Sequence, residues 1–362
     1  MDVKKTQLFK KIYGALIGSA IGDAMGGPVE MYYYPDIIKK HGWVNSLLAY
    51  DDINPSVHGP WSKEAGSYTD DSRMSKIFLD AILSCNGVPD DTDIKKAYID
   101  YYYNAKEGMP KEFIEEYFMK AIYGDRKQIF GGQPTNGAIM GIAPFGVINP
   151  CNPQKALDDA FKAAFMVEGY ARYSAAAAAA AISAAMIPGI KYDKVIELCF
   201  ASLNNHKKKV EGELWRNCHM YPHVAMKNEK LVRECITIAD KYEDTSSLRK
   251  ELLEKVEQQF FADGAETLAI AVTMFYKTKG DFKASVEACV NFGRDNDSSA
   301  SVVGAIAGAF NGVDSIPQEW IKLVETVNDG PSFEDFAEKL TIIVMKALKE
   351  QSNVLKNVSS MM

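Results

Sequence analysis

Three stretches of this chain carry carboxylates in patterns suited to chemistry. The first is Gly22-Asp23-Ala24-Met25-Gly26-Gly27-Pro28-Val29-Glu30, where acids sit among glycines that let backbone approach a ligand. The second is Tyr68-Thr69-Asp70-Asp71-Ser72, and the third is Gly293-Arg294-Asp295-Asn296-Asp297-Ser298-Ser299-Ala300. Adjacent carboxylates repel, so something must offset them. A helix N-terminus offsets part of that repulsion, and a hard divalent cation offsets more. Oxygen donors with no His or Cys among them select Mg2+, Mn2+ or Ca2+ rather than zinc. The plainer reading is that Asp, Ser and Thr at helix starts serve only as N-caps. Two such clusters and Glu30 in one chain point towards a two-cation site, although spacing alone does not bring them together.

Helical periodicity must position these groups. Leu8, Ile12, Ala15, Leu16 and Ser19 to Ile21 form one face of a first helix, which ends at Gly26, Gly27 and Pro28. Met74, Ile77, Phe78, Ala81 and Ile82 follow Asp70 and Asp71 at amphipathic spacing, with the acids in the first turn. Further helices are predicted over 92–105, 111–122, 154–167, 172–186, 191–203, 229–241, 247–260, 264–277, 282–291, 298–310, 317–327 and 332–350. Seven alanines, Ala175 to Ala181, predict a buried central helix that neighbours approach closely. Gly304, Ala305, Ala307, Gly308 and Ala309 form a second small-residue face. Alternation of period two is nearly absent, with weak strand candidates only around 43–50. The class is all-α, and the absence of repeats or linkers predicts one domain over 1–362.

Composition narrows the function. Of 362 residues, 47% are hydrophobic and 25% charged, enough apolar material for a large core. The net charge of −7 argues against nucleic acid, and His206-Lys207-Lys208-Lys209 reads as a solvated loop. No apolar run is free enough of charge to predict a membrane span. Cys85, Cys151, Cys199, Cys218, Cys235 and Cys289 form no C-x-x-C pair, and with no signal peptide read they predict reduced thiols in the cytoplasm. Cys218-His219-x-x-x-His223 lacks a fourth ligand and reads as a polar connector rather than a zinc site. Tyr32-Tyr33-Tyr34 and Tyr101-Tyr102-Tyr103 read first as packing aromatics, with the former also close enough to Glu30 to line a cleft.

At these residues the sequence resembles the ADP-ribosylglycohydrolase family, which includes the dinitrogenase reductase-activating glycohydrolases. The family's G-x-x-x-G-x-x-x-G-D-x-x-G-x-x-x-E matches Gly14 to Glu30, and its T-D-D-[TS] matches Thr69-Asp70-Asp71-Ser72. Its central N-G-x-x-M-x-x-x-P matches Asn136 to Pro144. Its C-terminal G-G-D-T-D-T-x-A…G-A-x-A-G-A appears as Gly293-Arg294-Asp295-Asn296-Asp297-Ser298-Ser299-Ala300, with Arg294 in place of a family glycine, and as Gly304 to Ala309. The four motifs stand in family order along nearly the whole chain. The resemblance implies a compact, orthogonal helical domain with a binuclear Mg2+ site, in which Mn2+ can substitute. By motif position the metal ligands would be Thr69, Asp70, Asp71, Asp295, Asp297 and Ser298. Glu30 would sit at the metal edge near the scissile bond, and Asn136 and Gly137 would line the ADP-ribose groove. One of Glu30, Asp70 and Asp71 would assist proton transfer. Glu266, at another family position, reads as structural.

Two departures bear on the substrate. Gly141 stands where many members carry Arg, and Met166 to Tyr173 holds no His where many have one. Those groups tend to face the diphosphate. Arg172 and Arg294 are candidates to replace them, but surface salt bridges are the expectation for both. The leading expectation is therefore Mg2+-dependent hydrolysis of an ADP-ribosyl bond on a protein or small ribosyl compound. A nucleoside N-ribosyl hydrolase is the second, and a non-catalytic crystallin-like or ADP-ribose-binding protein the third.

Overall fold

The structure is a computed structural model that describes residues 2–51, 61–104, 111–123, 134–167, 169–214, 222–257 and 261–362. Among the described residues there are sixteen α-helices and no strand. They are α1 (Gln7–Gly26), α2 (Tyr34–His41), α3 (Asp70–Cys85), α4 (Asp91–Asn104), α5 (Lys111–Tyr123), α6 (Ala143–Val147), α7 (Pro153–Ala163) and α8 (Gly169–Ala185). There follow α9 (Tyr192–Leu214), α10 (Pro222–Ala239), α11 (Arg249–Val256), α12 (Gly264–Lys277), α13 (Phe282–Val290), α14 (Asn296–Asn311), α15 (Gln318–Val327) and α16 (Phe333–Ser359). The all-α class read from periodicity is what the chain adopts.

The organising contact is between α1 and α14, which lie antiparallel and backbone to backbone. Gly14, Gly18, Gly22 and Gly26 recur every four residues, so they share one face of α1. That face meets Gly308, Gly304, Ala300 and Asp297 in turn. A Cβ added at Gly18 would stand 2.5 Å from the Gly304 carbonyl oxygen, and one at Gly22 only 2.0 Å from that of Ala300. The hydroxyls of Ser19 and Ser301 bond across the seam at 2.7 Å. Because the helices run in opposite directions, this contact brings the C-terminus of α1, with Glu30 beyond it, to the N-terminus of α14, with Asp295 and Asp297.

Around this pair the alanine-rich α8 is buried along nearly its whole length and packs against α6, α7, α9, α12 and α14. Nearly all the buried apolar side chains from Phe9 to Val344 form one continuous cluster. Lys11, buried in the seam, donates to the carbonyls of Ala185, Ala309 and Phe310, and so ties together the C-terminal ends of α8 and α14.

Several local expectations differ. Residues 43–50 form no strand; Val44 is held instead by the Asn291 side chain, which accepts from its N–H and donates to its carbonyl. The short helices α2 and α6 carry too few turns for periodicity to register. Helices α9, α10 and α16 extend well past the predicted limits. The basic run at 206–209 is accordingly part of α9, not a loop. His206 is buried, with Nδ1 2.7 Å from Asp158 and its ring against Phe161. Tertiary packing against α7 overrides the polar local pattern there. Cys218 and His219 lie outside the described residues, as does the side chain of His223.

Candidate active site

Capping separates the acid clusters from ordinary helix starts. Thr6, Asn152, Asp263, Asp281 and Ser332 each cap their own helix by accepting from a first-turn N–H. Thr69 and Asp295 hold the same N-cap positions on α3 and α14, yet neither side chain caps its helix. The capping alternative thus fails at both clusters, and their side chains are free to converge.

The N-terminus of α3 is served instead by Asp23 of α1. Its fully buried carboxylate accepts from the Thr69 and Ser72 N–H groups, each at 2.9 Å, and from their hydroxyls at 2.8 and 2.6 Å. This clamp turns α3 so that Thr69 and Asp71 face α14. The Thr69 hydroxyl stands 3.3 Å from Asp297 Oδ2, and the Ser298 hydroxyl 3.4 Å from Asp71 Oδ2.

Glu30, Asp295 and Asp297 each offer a carboxylate oxygen, and these oxygens lie within 4.8 Å of one another. A short antiparallel pairing fixes Glu30 against Asp295. The Met31 N–H donates to the Arg294 carbonyl at 2.8 Å, and the Arg294 N–H donates to that of Tyr32 at 2.6 Å. Gly293 makes the pairing possible: its φ is +86°, and a Cβ there would meet the Tyr32 carbonyl oxygen at 2.2 Å.

The site gathers like charges at close range. Among the described residues no Lys or Arg pairs with Asp70, Asp71, Asp295 or Asp297. Arg294, next to Asp295 in the chain, turns away. It is buried rather than on the surface, forms a bidentate salt bridge with Glu266 and reaches Glu257 at 3.1 Å. The surface expectation for Arg294 therefore fails, because the left-handed backbone at this residue (φ +61°) directs its side chain towards α12. Glu266, read as structural, is its partner. Burial, followed by the charges of neighbouring acids, raises the Asp71, Asp297 and Glu30 carboxyls well above the usual carboxylate range. Burial, with Asp23 next in importance, raises Asp70 to about 6. Asp71 Oδ1 is buried with no hydrogen-bond partner.

Asn136 and Gly137 are both buried beside this cluster. Asn136 Nδ2 donates to Asp295 Oδ2 at 2.7 Å and lies 3.2 Å from the Thr267 hydroxyl, so the amide orients an acid. The Gly137 N–H points back to the Thr135 hydroxyl at 3.4 Å. The structure therefore gathers Glu30, Thr69, Asp71, Asn136, Asp295, Asp297 and Ser298 into one contact network. Asp70 joins it through the electrostatic coupling of its carboxyl to Asp23 and Asp295.

Two participants carried no sequence assignment. Asp23 stood inside a motif, but its partners are 46 and 49 residues away. Tyr50 is buried over Gly27, with its phenol raised by burial and then by Asp23, Asp297, Glu30 and Asp70. Nothing in its sequence neighbourhood marks it. Arg172 is half-buried and stacked on Phe161, whose carbonyl accepts from its Nε at 2.6 Å.

Known proteins share this arrangement of elements. A family model described as ADP-ribosylglycohydrolase matches residues 4–351. An uncharacterised protein of Archaeoglobus fulgidus is 26% identical, over 94% of this chain and 99% of its own length. ADP-ribosylhydrolase ARH3 of Homo sapiens is 20% identical, over 85% of this chain and 87% of its own. A solved chain described as an ADP-ribosylglycohydrolase-related protein complex shares the fold, with a TM-score of 0.63 at 20% identity over 93% of this chain and 99% of that one. With nearly its whole length matched by the family model, the chain belongs to the ADP-ribosylglycohydrolase family of glycosidic-bond hydrolases.

Proposed function

We propose that the chain acts as one domain and hydrolyses an ADP-ribosyl bond, carried by a protein side chain or a small molecule, in a Mg2+-dependent reaction. The observation that carries this reading is the convergence of Glu30, Asp295 and Asp297 oxygens within 4.8 Å, with Asp71 one hydroxyl away. The donor set fits hard divalent ions. It consists of oxygens alone, no Lys or Arg among the described residues pairs with its Asp71, Asp295 and Asp297, and it leaves one buried oxygen of Asp71 without a partner. Thr69, Asp70, Asp71, Asp295, Asp297 and Ser298 would hold two such ions. When bound, Mg2+ supplies positive charge beside a reacting ribose.

The chain's own residues do the rest. Asp23 holds α3 so that Thr69 and Asp71 keep their orientation. Asn136 fixes Asp295. Glu30, whose carboxyl is raised well above its usual range by burial and then by Asp295, carries a proton to or from the leaving group.

One observation favours a smaller substrate as the second reading. Gly141 is closed against α3, since a Cβ there would meet Met74 Cγ at 2.7 Å and the Ser75 nitrogen at 2.9 Å, so no long cation fits. Arg172 and Arg294 are engaged with Phe161 and Glu266. A nucleoside N-ribosyl hydrolase needs no diphosphate contact.

The test is turnover of ADP-ribosyl-arginine, ADP-ribosyl-serine and a nucleoside panel with and without Mg2+. The expected result is Mg2+-dependent release of ADP-ribose that Asp70→Ala and Asp297→Ala each reduce by about a hundredfold or more. Release of free base without ADP-ribose turnover selects the second reading. Activity that persists in both variants removes the site.

A further inference from the structure

The face of α3 turned away from Asp71 borders a cavity of about 710 Å3, a size typical of pockets that enclose small molecules. Arg73, Lys76, Asp80 and Leu83 repeat at helical spacing on this face, half a turn round the axis from Asp71. Its lining includes none of Glu30, Asp70, Asp71, Asp295 and Asp297, so the cavity is separate from the site described above; it is walled by α3, α4, the segment joining α15 to α16 and Phe336 of α16.

Its floor is cationic. Arg73 lies against the buried Tyr68 ring, 5.5 Å from the centroid, and its Nε is buried with no hydrogen-bond partner. Lys76 stands 5.2 Å from the ring centroids of both Tyr68 and Phe333, and its one hydrogen bond is to the Asp329 carbonyl at 3.3 Å. Neither cation has a carboxylate partner among the described residues. Burial lowers Lys76 to about 8, which leaves it mainly charged at neutral pH and incompletely compensated. The mouth has the opposite sign: Asp80, Asp100 and Asp329 are exposed there beside one exposed cation, Lys96. Leu83, Tyr101 and Phe336 supply apolar wall.

We propose that this cavity is a second ligand site, for a small zwitterion of the amino-acid class. Arg73 and Lys76 receive its carboxylate, the aspartates at the mouth hold its ammonium, and its side chain lies on Leu83, Tyr101 and Phe336. A cationic floor alone would accept any oxyanion, but the acidic mouth disfavours polyanions such as nucleotides.

Calorimetric titration of the full chain with L-phenylalanine, L-leucine and L-methionine tests this. At least one is expected to bind saturably, one per chain. 3-Phenylpropionate, which lacks the ammonium, should bind about tenfold more weakly than L-phenylalanine, as should phenethylamine, which lacks the carboxylate. Arg73→Gln and Lys76→Gln should each weaken amino-acid binding about tenfold or more, whereas Glu30→Gln should not change it, so failure here is distinct from failure of the hydrolase reading. Circular dichroism checks folding, and Lys76→Gln carries the test if Arg73→Gln misfolds. The proposal is overturned if none of the three binds by about 10 mM, if phosphoethanolamine binds in their place, or if affinity is indifferent to both floor variants.

Discussion

At the residue scale, the acid cluster is a set of groups whose ionisation the fold itself opposes. Asp70 is raised to about 6, and Glu30, Asp71 and Asp297 are raised well above their usual range. A carboxyl with a folded pKa above its unfolded value, about 4, binds protons more readily in the native state. The stability it contributes is present in full below the unfolded pKa and is lost as pH rises through the folded one. The metal-free protein should therefore be more stable at about pH 5 than at about pH 8 in urea melts with chelator, and Glu30→Gln should flatten that slope by removing one titrating group. A chelated protein equally stable at both values would show that these acids are already compensated. The residues behind this prediction differ in how far sequence exposes them. Asp70, Asp71, Asp295 and Asp297 are visible because adjacent acids at helix starts are costly. The clamping role of Asp23 and the presence of Tyr50 are not, because their partners are set by the packing of α1 against α3 and not by local pattern.

At the element scale, the site depends on how closely α1 and α14 approach. The glycine spacing was visible in the chain, as was the small-residue face at 304–309, but neither names the other as partner. Periodicity gives the faces of long helices and misses what tertiary contact adds: the extra turns of α9 and α10, the short α2 and α6, and a buried His206 within a basic run. The seam also makes a sharp test. A Cβ at Gly22 would lie 2.0 Å from the Ala300 carbonyl oxygen and 2.7 Å from the Ser301 nitrogen, both of them backbone atoms that cannot rotate away. Gly22→Ala must push the helices apart, and overpacking of this kind costs about 3 kcal/mol. Glu30 and Asp297 sit at the end of that seam, so turnover should fall with stability. Gly87, with nothing within 4 Å of its added Cβ, is the control, and Gly87→Ala should change neither. Thermal melts and a single turnover assay on the pair decide it, and a fully stable Gly22→Ala would refute the close approach.

At the scale of the whole molecule, segments roughly 270 residues apart in the chain meet in one acid pocket, and that convergence costs stability unless something favours the assembled state. Sequence could name the acids but could not price their convergence, since repulsion exists only once the fold has formed. Protons offset it at low pH; divalent cations would do so at neutral pH, and they bind the assembled site far better than the separated segments of the unfolded chain. Such preferential binding adds about 2.7 kcal/mol for each site at roughly one hundred times Kd, which corresponds to several degrees in Tm. Melting at about pH 7.5 should therefore rise progressively with millimolar Mg2+, and Mn2+ should act likewise. Asp297→Ala should abolish most of the rise, because it removes the carboxylate that stands beside Thr69 of α3 as well as beside Glu30 and Asp295. The two readouts also separate causes: a cation effect acting only by general screening would raise Tm equally in wild type and variant, and K+ at matched ionic strength would reproduce it. A melting curve that stays flat across millimolar Mg2+ would mean that the carboxylates are stabilised by protons alone at neutral pH, which leaves α1, α3 and α14 holding an acid site with no need of metal.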